Sequence, residues 1–280
     1  MENIIISNKE LFEQKKQKFK EAGVLSVHVV ADFDRTLTKA FDRGEKVGSA
    51  IAQIRNNNYL SDEYTKKAHL LFDYYHPIEI DSSISIEKRS LEMQDWWSKH
   101  LELIVKSGMK REIVEDIVEK DYLPARDGFE EFMGFLNKKS IPLLILSSGL
   151  GDIIDGFLEK KNLISENVHV ISNYFDFDET GFAKGYKGKV VHVFNKDESQ
   201  IKDTPYFEKI VKRKNVFLLG DSIGDLKMVN QINFSEIIKI GFLNENVKNN
   251  LDEFKQNFDV IILNDGSLDF VNELLKELFD

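Results

Sequence analysis

Two aspartates, Asp32 and Asp34, stand at the end of an apolar run near the beginning of the chain, in the segment VVADFDRTLT. The residues before them are apolar and β-branched, which predicts a buried strand. Two carboxylates at the exit of a strand, where the chain turns, can face different atoms of one substrate. One can act as a nucleophile on phosphorus. The other can be the general acid for the leaving oxygen and later a general base.

Further polar residues follow two other predicted strands. The strand IPLLILSSG delivers Ser147, Ser148 and Gly149, and the strand VFLLGDSIGD delivers Asp221 and Asp225. In open α/β sheets, ligands bind beyond the carboxyl ends of the strands. We therefore expect these residues to meet the first two aspartates at one edge of a sheet.

Four carboxylates at one edge would repel one another, and burying them unpaired would be costly. A hard divalent cation relieves this repulsion, and oxygen ligands without cysteine suit Mg²⁺, which points to phosphate chemistry. Ser147 and the N–H groups beside Gly149 would hold phosphate oxygens. A lysine is also needed against the negative charge that builds up on the phosphoryl group. The sequence offers four candidates: Lys184, Lys187, Lys189 and Lys196.

The composition limits the classes of function. The chain has 280 residues, of which 42% are hydrophobic and 31% charged, as expected of a globular protein with a main domain and an insertion. Its net charge of −10 disfavours a nucleic-acid polymer as partner. Cysteine is absent, which excludes disulfides, thiolate catalysis and cysteine-based zinc sites. Without a signal-peptide pattern or a membrane-length apolar run, we expect a cytoplasmic protein, with a monomer as the default.

The order of the predicted elements defines the fold class. Strands alternate with helices in residues 1–41 and 125–280, which predicts an α/β core with a Rossmann-like parallel sheet. Residues 42–124 have the pattern of helices alone, and we expect them to form an inserted helical cap. A first helix is expected over about residues 8–22. The helix that follows Ser61 is expected to stop before Pro77.

Four motifs occur in the order known from the haloacid dehalogenase superfamily of phosphatases, which the chain resembles. They are DFDRTLT, SSG at a strand end, a downstream lysine, and GDSIGD. Four motifs in order are a far more specific signal than any one of them. The resemblance is closer to one branch, the cytosolic pyrimidine 5′-nucleotidases. Its blocks are matched by SSGLGDII, ISNYFDFDETGFAKGYKGKVVHVFNKDES and VFLLGDSIGDLKMV, and in the cap by YYHPIEID and DWWSKH. The similarity extends from about residue 8 to 275.

The resemblance implies roles for the four aspartates. Asp32 is expected to be the nucleophile that forms an aspartyl-phosphate and to be a metal ligand. Asp34 is expected to be the acid and base, and its backbone carbonyl to bind Mg²⁺. Asp221 is expected to ligate Mg²⁺, and Asp225 to support that ligation through water.

The resemblance also implies the residues that hold the substrate. Ser147 is expected to bind the phosphate, with Ser148 and Gly149 beside it, and Lys196 corresponds to the lysine of the third motif. Glu79, in PIEID of the cap, matches an acid that contacts the nucleoside. Ser148 departs from the family pattern, in which a smaller residue is expected. Its hydroxyl would either extend the phosphate site or have no role.

These expectations combine into Mg²⁺-dependent hydrolysis of a small nucleoside 5′-monophosphate, with UMP or CMP preferred and the cap selecting the base. If a second nucleoside enters in place of water, the same intermediate gives phosphotransfer. One alternative is a phosphatase of another small metabolite such as phosphoserine, which suits the aromatic and acidic cap less well. Another is a non-catalytic nucleotide-binding protein, against which the intact acid pair argues. Dehalogenation is disfavoured because Asp34 would have no leaving oxygen to protonate.

Trp96 and Trp97 are adjacent on a predicted cap helix and therefore point about 100° apart. Both cannot face the same direction. We expect one of them to pack in the core of the cap. For the other, core packing is preferred over stacking on a base.

Overall fold

The computed structural model describes residues 3–81, 83–197, 201, 204–229 and 233–280. Its strands are β1 (Ile4–Ile6), β2 (Val27–Ala31), β3 (Phe41–Asp42), β4 (Glu45–Lys46), β5 (Leu143–Leu150), β6 (Val168–Asn173), β7 (Phe175–Phe177), β8 (Ala183–Tyr186), β9 (Asn215–Gly220), β10 (Glu236–Leu243) and β11 (Val260–Leu263). Its α-helices are α1 (Lys9–Ala22), α2 (Ala52–Asn56), α3 (Asp62–Ile80), α4 (Ile86–Lys106), α5 (Arg111–Glu119), α6 (Phe129–Lys138), α7 (Gly151–Lys160), α8 (Pro205–Ile210), α9 (Val247–Asn257) and α10 (Asp269–Phe279).

One seven-stranded sheet organises the core, with the strand order β1-β11-β10-β9-β2-β5-β6. β2 pairs in parallel with β9 on one side and β5 on the other, and all five of its residues are buried. Burial on both faces explains why its residues are apolar except His28, whose Nδ1 lies 2.9 Å from Arg213 O. Among the described residues, β1 is the one strand that joins this sheet antiparallel, along β11. The predicted α/β class with a parallel sheet is confirmed.

Helices pack on this sheet through aromatic side chains. Asn8 caps the start of α1, its side chain accepting a hydrogen bond from Leu11 N, and Gly23 with φ +73° caps its end, so the helix matches the predicted range of about residues 8–22. Phe19 of α1 lies edge-on to Phe217 of β9, with ring centroids 4.8 Å apart. The charged side of the helix remains in water, so the packing face is set by a few large residues.

The cap helices, defined as α2 to α5, lie in sequence between β2 and β5. Ser61 and Ser85 cap the two long ones, with their hydroxyls accepting from Tyr64 N at 3.2 Å and Lys88 N at 3.3 Å. These caps fix the starts of α3 and α4 at the serines that precede each periodic pattern. A small hairpin of β3 and β4, which the helical pattern did not predict, precedes the cap helices.

The prediction that the helix after Ser61 ends before Pro77 is wrong, because that helix, α3, continues to Ile80. Proline removes a single backbone donor, the one that would bond the carbonyl of Asp73. Both residues are exposed, so water can satisfy that carbonyl. The helix thereby brings Glu79 into its last turn.

Besides the β3–β4 hairpin, the sequence did not predict β1, α8 or α9. α9 is rich in amide and charged residues, and its apolar positions are Val247, Leu251 and Phe254. That spacing does follow the helical period, so the signal was present but weak. No helix in the described part of the chain is long and apolar enough to cross a membrane.

Candidate active site

The turn after β2 separates the two aspartates. Asp32 continues the strand, and its N–H donates to Leu219 O of β9 at 3.0 Å. The carbonyl of Phe33 then accepts from the N–H groups of Leu37 and Thr38, at 3.0 and 3.1 Å, which closes a tight turn. The Phe33 ring is buried against Phe157 of α7, with centroids 5.3 Å apart. The buried ring anchors the turn, and the carboxylates on either side of it face different neighbours.

Asp32 faces a buried lysine that it shares with a second aspartate. Lys196 Nζ lies 2.6 Å from Asp32 Oδ1 and 2.6 Å from Asp225 Oδ1, and its side chain is 5% exposed. Burial opposes the charged ammonium, but Asp225 and Asp32 outweigh it, so the pKa of Lys196 lies above its usual value. Burial raises the pKa of Asp32 to about 6, although Lys196 acts in the opposite direction. The structure thus brings the lysine expected from the third motif to the first aspartate.

Two other candidate lysines, Lys184 and Lys187, lie away from the aspartates. Lys184 pairs with Asp176 at 3.3 Å, on an exposed part of the β7–β8 hairpin. Lys187 lines a separate cleft beside α5 and α7. Of the four candidates, Lys196 is the one that contacts the aspartates among the residues described.

Asp221 directly follows β9, and Asp225 lies in the 3-10 helix Ile223–Val229 that comes next. Asp225 Oδ2 accepts from the N–H groups of Asp221 at 3.1 Å and Ser222 at 2.9 Å, which holds the turn between strand and helix closed. A Cβ at Gly220 would lie 2.5 Å from Asp225 Cβ, so only glycine allows this close approach.

Asp32, Asp221 and Asp225 form an acidic cluster in which one oxygen from each lies within 4.8 Å of the others. Burial, followed by the charges of Asp225 and Asp32, raises the pKa of Asp221 well above its usual value. A cation would relieve this repulsion, and the all-oxygen donor set suits a hard divalent ion such as Mg²⁺. The residues present therefore fit a metal ion.

Asp34 faces the opposite side of the turn, towards the cap helices and β5. Its Oδ1 accepts from Ala50 N at 2.8 Å. Burial, and secondarily the charge of Asp32, raises its pKa to about 7. A Cβ at Gly149 would lie 3.2 Å from Asp34 Oδ2 and 3.1 Å from Ser147 Oγ, so the end of β5 approaches the Asp34 carboxyl closely. Such a carboxyl can both hold and give up a proton near neutral pH.

The last residues of β5, where the register with β6 shifts between Leu146 and Leu150, could offer polar groups to a small anion. Ser147 is buried, and its Oγ accepts from Gly149 N at 3.0 Å. Ser148 is half-buried and lines the same pocket as Gly149 and Asp34. Hydroxyl and N–H donors beside a carboxylate pair are the groups that a phosphoryl oxygen needs.

Asn173, which sequence reasoning missed, joins the end of β5 through hydrogen bonds to Val191, in the segment that leads to Lys196. Its Nδ2 donates to Ser148 O at 2.9 Å and to Val191 O at 2.9 Å, and its Oδ1 accepts from Val191 N at 2.8 Å. The residue ends β6 (Val168–Asn173), at the same edge of the sheet. The rule that located the aspartates would therefore have identified it too.

A pocket of about 190 Å³ lies between the edge of the sheet and the cap helices. Asp34, Ser148 and Gly149 line it from the core, and Phe72, Glu79 and Trp96 from the cap. Glu79 is within 3.1 Å of His76 Nδ1. A small ligand in this pocket would thus touch the acid of the core at one end and aromatic rings at the other.

The two tryptophans pack on other side chains, and both also line the pocket. Trp97 packs against the main hydrophobic core, as expected for one of them. Trp96 stacks on Tyr75, with ring centroids 5.7 Å apart and planes 8° apart, and it meets Phe72 edge-on at 6.0 Å. Both tryptophans nevertheless line the pocket, so packing and exposure to a ligand are combined.

The chain has relatives of known family over almost its whole length. A model described as pyrimidine 5′-nucleotidase (UMPH-1) matches residues 35–279. The 7-methylguanosine phosphate-specific 5′-nucleotidase A of Xenopus laevis is 38% identical over 265 residues, covering 94% of this chain and 91% of that protein. The 7-methylguanosine phosphate-specific 5′-nucleotidase of Homo sapiens is 33% identical over 260 residues, covering 92% and 87%.

Solved structures agree with the fold. Cytosolic 5′-nucleotidase IIIB bound to cytidine matches with a TM-score of 0.86 and 28% identity, covering 99% of this chain and 94% of that one. A phosphoserine phosphatase, solved as an analogue of its phospho-aspartyl intermediate, matches with a TM-score of 0.52 and 16% identity, covering 88% and 97%. At that identity the second likeness shows a common fold alone.

Proposed function

Because the chain belongs to the pyrimidine 5′-nucleotidase (UMPH-1) family, we propose how its side chains carry out 5′-nucleotidase chemistry and on which substrate. The fold is that of haloacid dehalogenase-type phosphatases, and the enzyme is a hydrolase of nucleoside monophosphates. One observation carries the mechanism. The turn after β2 directs Asp32 to Lys196 and Asp34 to the pocket.

In the proposed reaction, Asp32 attacks phosphorus in line and the bond from phosphorus to the 5′-oxygen breaks. Asp34 gives its proton to that oxygen, and the nucleoside leaves. Asp34 then takes a proton from water, which attacks the aspartyl-phosphate and releases phosphate. Lys196 offsets the charge on the phosphoryl group, while Ser147 and the N–H groups beside Gly149 hold its oxygens. A nucleoside in place of water would accept the phosphoryl group.

We propose Mg²⁺ as the cofactor. Asp32, Asp221 and the backbone carbonyl of Asp34 would hold it, with Asp225 in support. When bound, it supplies positive charge next to the phosphate and lowers the repulsion between the carboxylates. The close approach of the three carboxylates supports this assignment.

We propose that residues 42–124 act as a substrate-selecting lid on a core of residues 1–41 and 125–280. The position of Glu79 and Trp96 in the pocket supports this division, because both belong to the cap helices. Aromatic faces and a carboxylate are suited to a nucleobase, and much less to the short polar chain of phosphoserine.

Pyrimidine monophosphates, UMP and CMP, are the first candidate substrates. The family's description and the cytidine in the neighbouring structure support them. 7-Methylguanosine monophosphate is the second candidate, because relatives carry its name and its methylated base is a cation. A cationic base gains from the face of Trp96 and from the carboxylate of Glu79.

The test is phosphate release from UMP, CMP, 7-methylguanosine monophosphate, AMP, GMP and phosphoserine, with Mg²⁺ or EDTA. We expect pyrimidine nucleotides or the methylated nucleotide to lead, and EDTA to stop release. Asp32→Asn should lower kcat by at least about 10³-fold, because the nucleophile is lost. Asp252→Asn, on an exposed position of α9, is the matched control. Turnover by Asp32→Asn at the wild-type rate would contradict the mechanism, and a lead by phosphoserine would contradict the substrate.

A further inference from the structure

The backbone takes an unusual conformation directly after Asp34. Arg35 has φ +63° although it carries a Cβ, and this left-handed region is unfavourable for residues other than glycine. The N–H of Arg35 donates to Thr38 Oγ1 at 2.9 Å, within the turn. A conformation of this kind persists only where the surrounding structure holds it.

Two buried side chains converge on the carbonyl groups of this turn. Arg126, which is 1% exposed, donates through Nε to Thr36 O at 2.6 Å and through Nη2 to Arg35 O. Asn244 Nδ2 donates to the same Arg35 oxygen at 2.9 Å, and Asn244 Oδ1 accepts from Arg126 Nη2 at 3.2 Å. Rotation of the Arg35 peptide would leave these buried donors unsatisfied, which is costly.

Asp265 completes the group, which we call the turn clamp and define as Arg126, Asn244 and Asp265. Its Oδ1 lies 3.1 Å from Arg126 Nη1. Its two oxygens accept from the N–H groups of Ala40 at 2.8 Å and Phe41 at 3.0 Å. The clamp therefore fixes both ends of the segment that leaves β2 for the cap helices.

The turn clamp contributes little to stability for the number of polar groups that it buries. The desolvation free energy of a buried ion pair often exceeds the attraction between its charges, and apolar side chains of similar shape stabilise a core equally well. Burial lowers the pKa of Arg126 to about 10 even with Asp265 beside it. The specific gain here is directional: three donor bonds end on two carbonyls, those of Arg35 and Thr36, immediately after Asp34.

We propose that the turn clamp is a positioning device for the acid of the reaction. It holds Arg35 in the left-handed conformation and thereby aims the Asp34 carboxyl at the leaving oxygen. None of the three clamp side chains lines the pocket, so they act through Asp34 and not on the substrate. The inference rests on the proposed function, because it concerns the acid step given to Asp34.

The test compares two leaving groups. One substrate is UMP, or whichever nucleotide of the phosphate-release assay reacts fastest. Its leaving group is an alkoxide, which needs a proton from the acid. The leaving group of p-nitrophenyl phosphate is a stable phenolate, which needs none. The parameter kcat/KM covers the steps up to departure of the leaving group, so a variant that impairs the acid step lowers the value for the nucleotide more than the value for p-nitrophenyl phosphate.

Two clamp variants keep the test open if one of them folds poorly. Asn244→Ala removes one donor to Arg35 O, and Arg126→Lys keeps the charge but loses the fork of donors. Each should lower kcat/KM for the nucleotide about 10- to 100-fold, as expected for a misplaced catalytic group. The value for p-nitrophenyl phosphate should change by less than about 3-fold.

Two reference variants interpret the result. Asp34→Asn should give the same selective loss, only larger. Lys15→Met removes another buried ion pair, in which Lys15 Nζ bonds Asp259 Oδ1 at 2.8 Å and Ile237 O at 2.8 Å at the opposite edge of the sheet. It should lower Tm without changing the ratio of the two kcat/KM values.

The outcomes separate the two proposals. If Asp34→Asn affects both substrates equally, the acid role in the proposed function is wrong. If Asp34→Asn is selective but both clamp variants lower the two values equally, or neither value, the clamp is only structural and the inference is overturned. A ratio shifted by Lys15→Met would also overturn it, because any loss of stability would then mimic the effect.

Discussion

The core side and the cap side of the pocket use charge in different ways. On the core side, Lys196 is 5% exposed and joins two carboxylates at 2.6 Å each. On the cap side, Lys99 and Asp95 pair at the surface, with side chains that are 54% and 48% exposed. The cap surface that meets the pocket carries aromatic rings, with Phe72 and Trp96 in edge contact, beside Arg55 and Glu79.

This contrast suggests a division of labour. Buried, paired charges cannot reorganise cheaply, so they suit a reaction whose charge develops at one fixed place. Aromatic faces bind by area and tolerate small changes of ligand position, which suits the selection of a base. Changes on the core side should therefore alter kcat, and changes on the cap side should alter KM and the order of substrates.

After the loss of Asp32, the largest effect should come from Lys196. Lys196→Met leaves Asp32 and Asp225 buried without their cation and removes positive charge from the phosphoryl site. We expect kcat to fall by about 10²- to 10³-fold and the free energy of unfolding to fall by about 3 kcal/mol. Enzyme assays and urea unfolding measure the two effects. Lys184→Met, on the exposed hairpin, is the control, and an active Lys196→Met enzyme would contradict the assignment of the third-motif lysine.

A smaller and different effect is expected at Trp96. Trp96→Ala should raise KM by about 5- to 100-fold, the range found when an aromatic partner of a base is removed. Trp96→Phe should restore much of the affinity. A larger loss for 7-methylguanosine monophosphate than for UMP would favour the cationic substrate. If kcat falls and KM does not, the cap side takes part in the chemistry and the proposed division is wrong.

The strand-end rule explains why so much of the core side could be predicted from the sequence. Asp32 and Asp221 follow apolar runs that can only be buried strands, and the order of the motifs placed them on one edge. The same rule applies to Asn173, but its partners are backbone carbonyls, which have no signature in a sequence. Arg126 is harder still, because its partners lie about 90 and 140 residues away in the chain.

The cap side was less predictable for a physical reason. Pro77 was expected to end a helix, since proline lacks a backbone donor, yet an exposed last turn tolerates that loss. The position of Glu79 in the pocket depends on this extra turn. Local propensity alone could not decide the matter, because the outcome depends on solvent access to one carbonyl.

The pH dependence of the free energy of unfolding should have opposite signs for His100 in the cap and Asp152 in the core. Burial, followed by the charge of Arg55, lowers the pKa of His100 in the cap to about 4. The unfolded chain, with a histidine pKa of about 6.5, then binds more protons than the folded chain between these values. His100 therefore destabilises the fold as pH falls from about 6.5 to 4, by on the order of 2 kcal/mol.

Asp152, in α7 of the core, should act in the reverse direction. Burial raises its pKa, so the folded chain takes up the proton first and gains stability as pH falls towards the unfolded pKa. In urea unfolding between pH 7 and 4.5, His100→Gln should flatten the loss of stability on acidification. Asp152→Asn should steepen it. Parallel curves for wild type and both variants would show that neither group is linked to folding in this range.

The smallest effect is expected from the outer face of the cap. Lys99 Nζ lies 2.6 Å from Asp95 Oδ2 and 2.9 Å from Tyr75 OH, a geometry that looks as strong as that of Lys196. Water competes for the exposed pair, so Lys99→Met should change Tm by about 1 °C or less and leave kcat and KM unchanged. Tyr75 stacks on Trp96, which gives this pair a route to the pocket. A raised KM in Lys99→Met would therefore mean that the stack depends on the lysine, and that the exposed and aromatic parts of the cap act together.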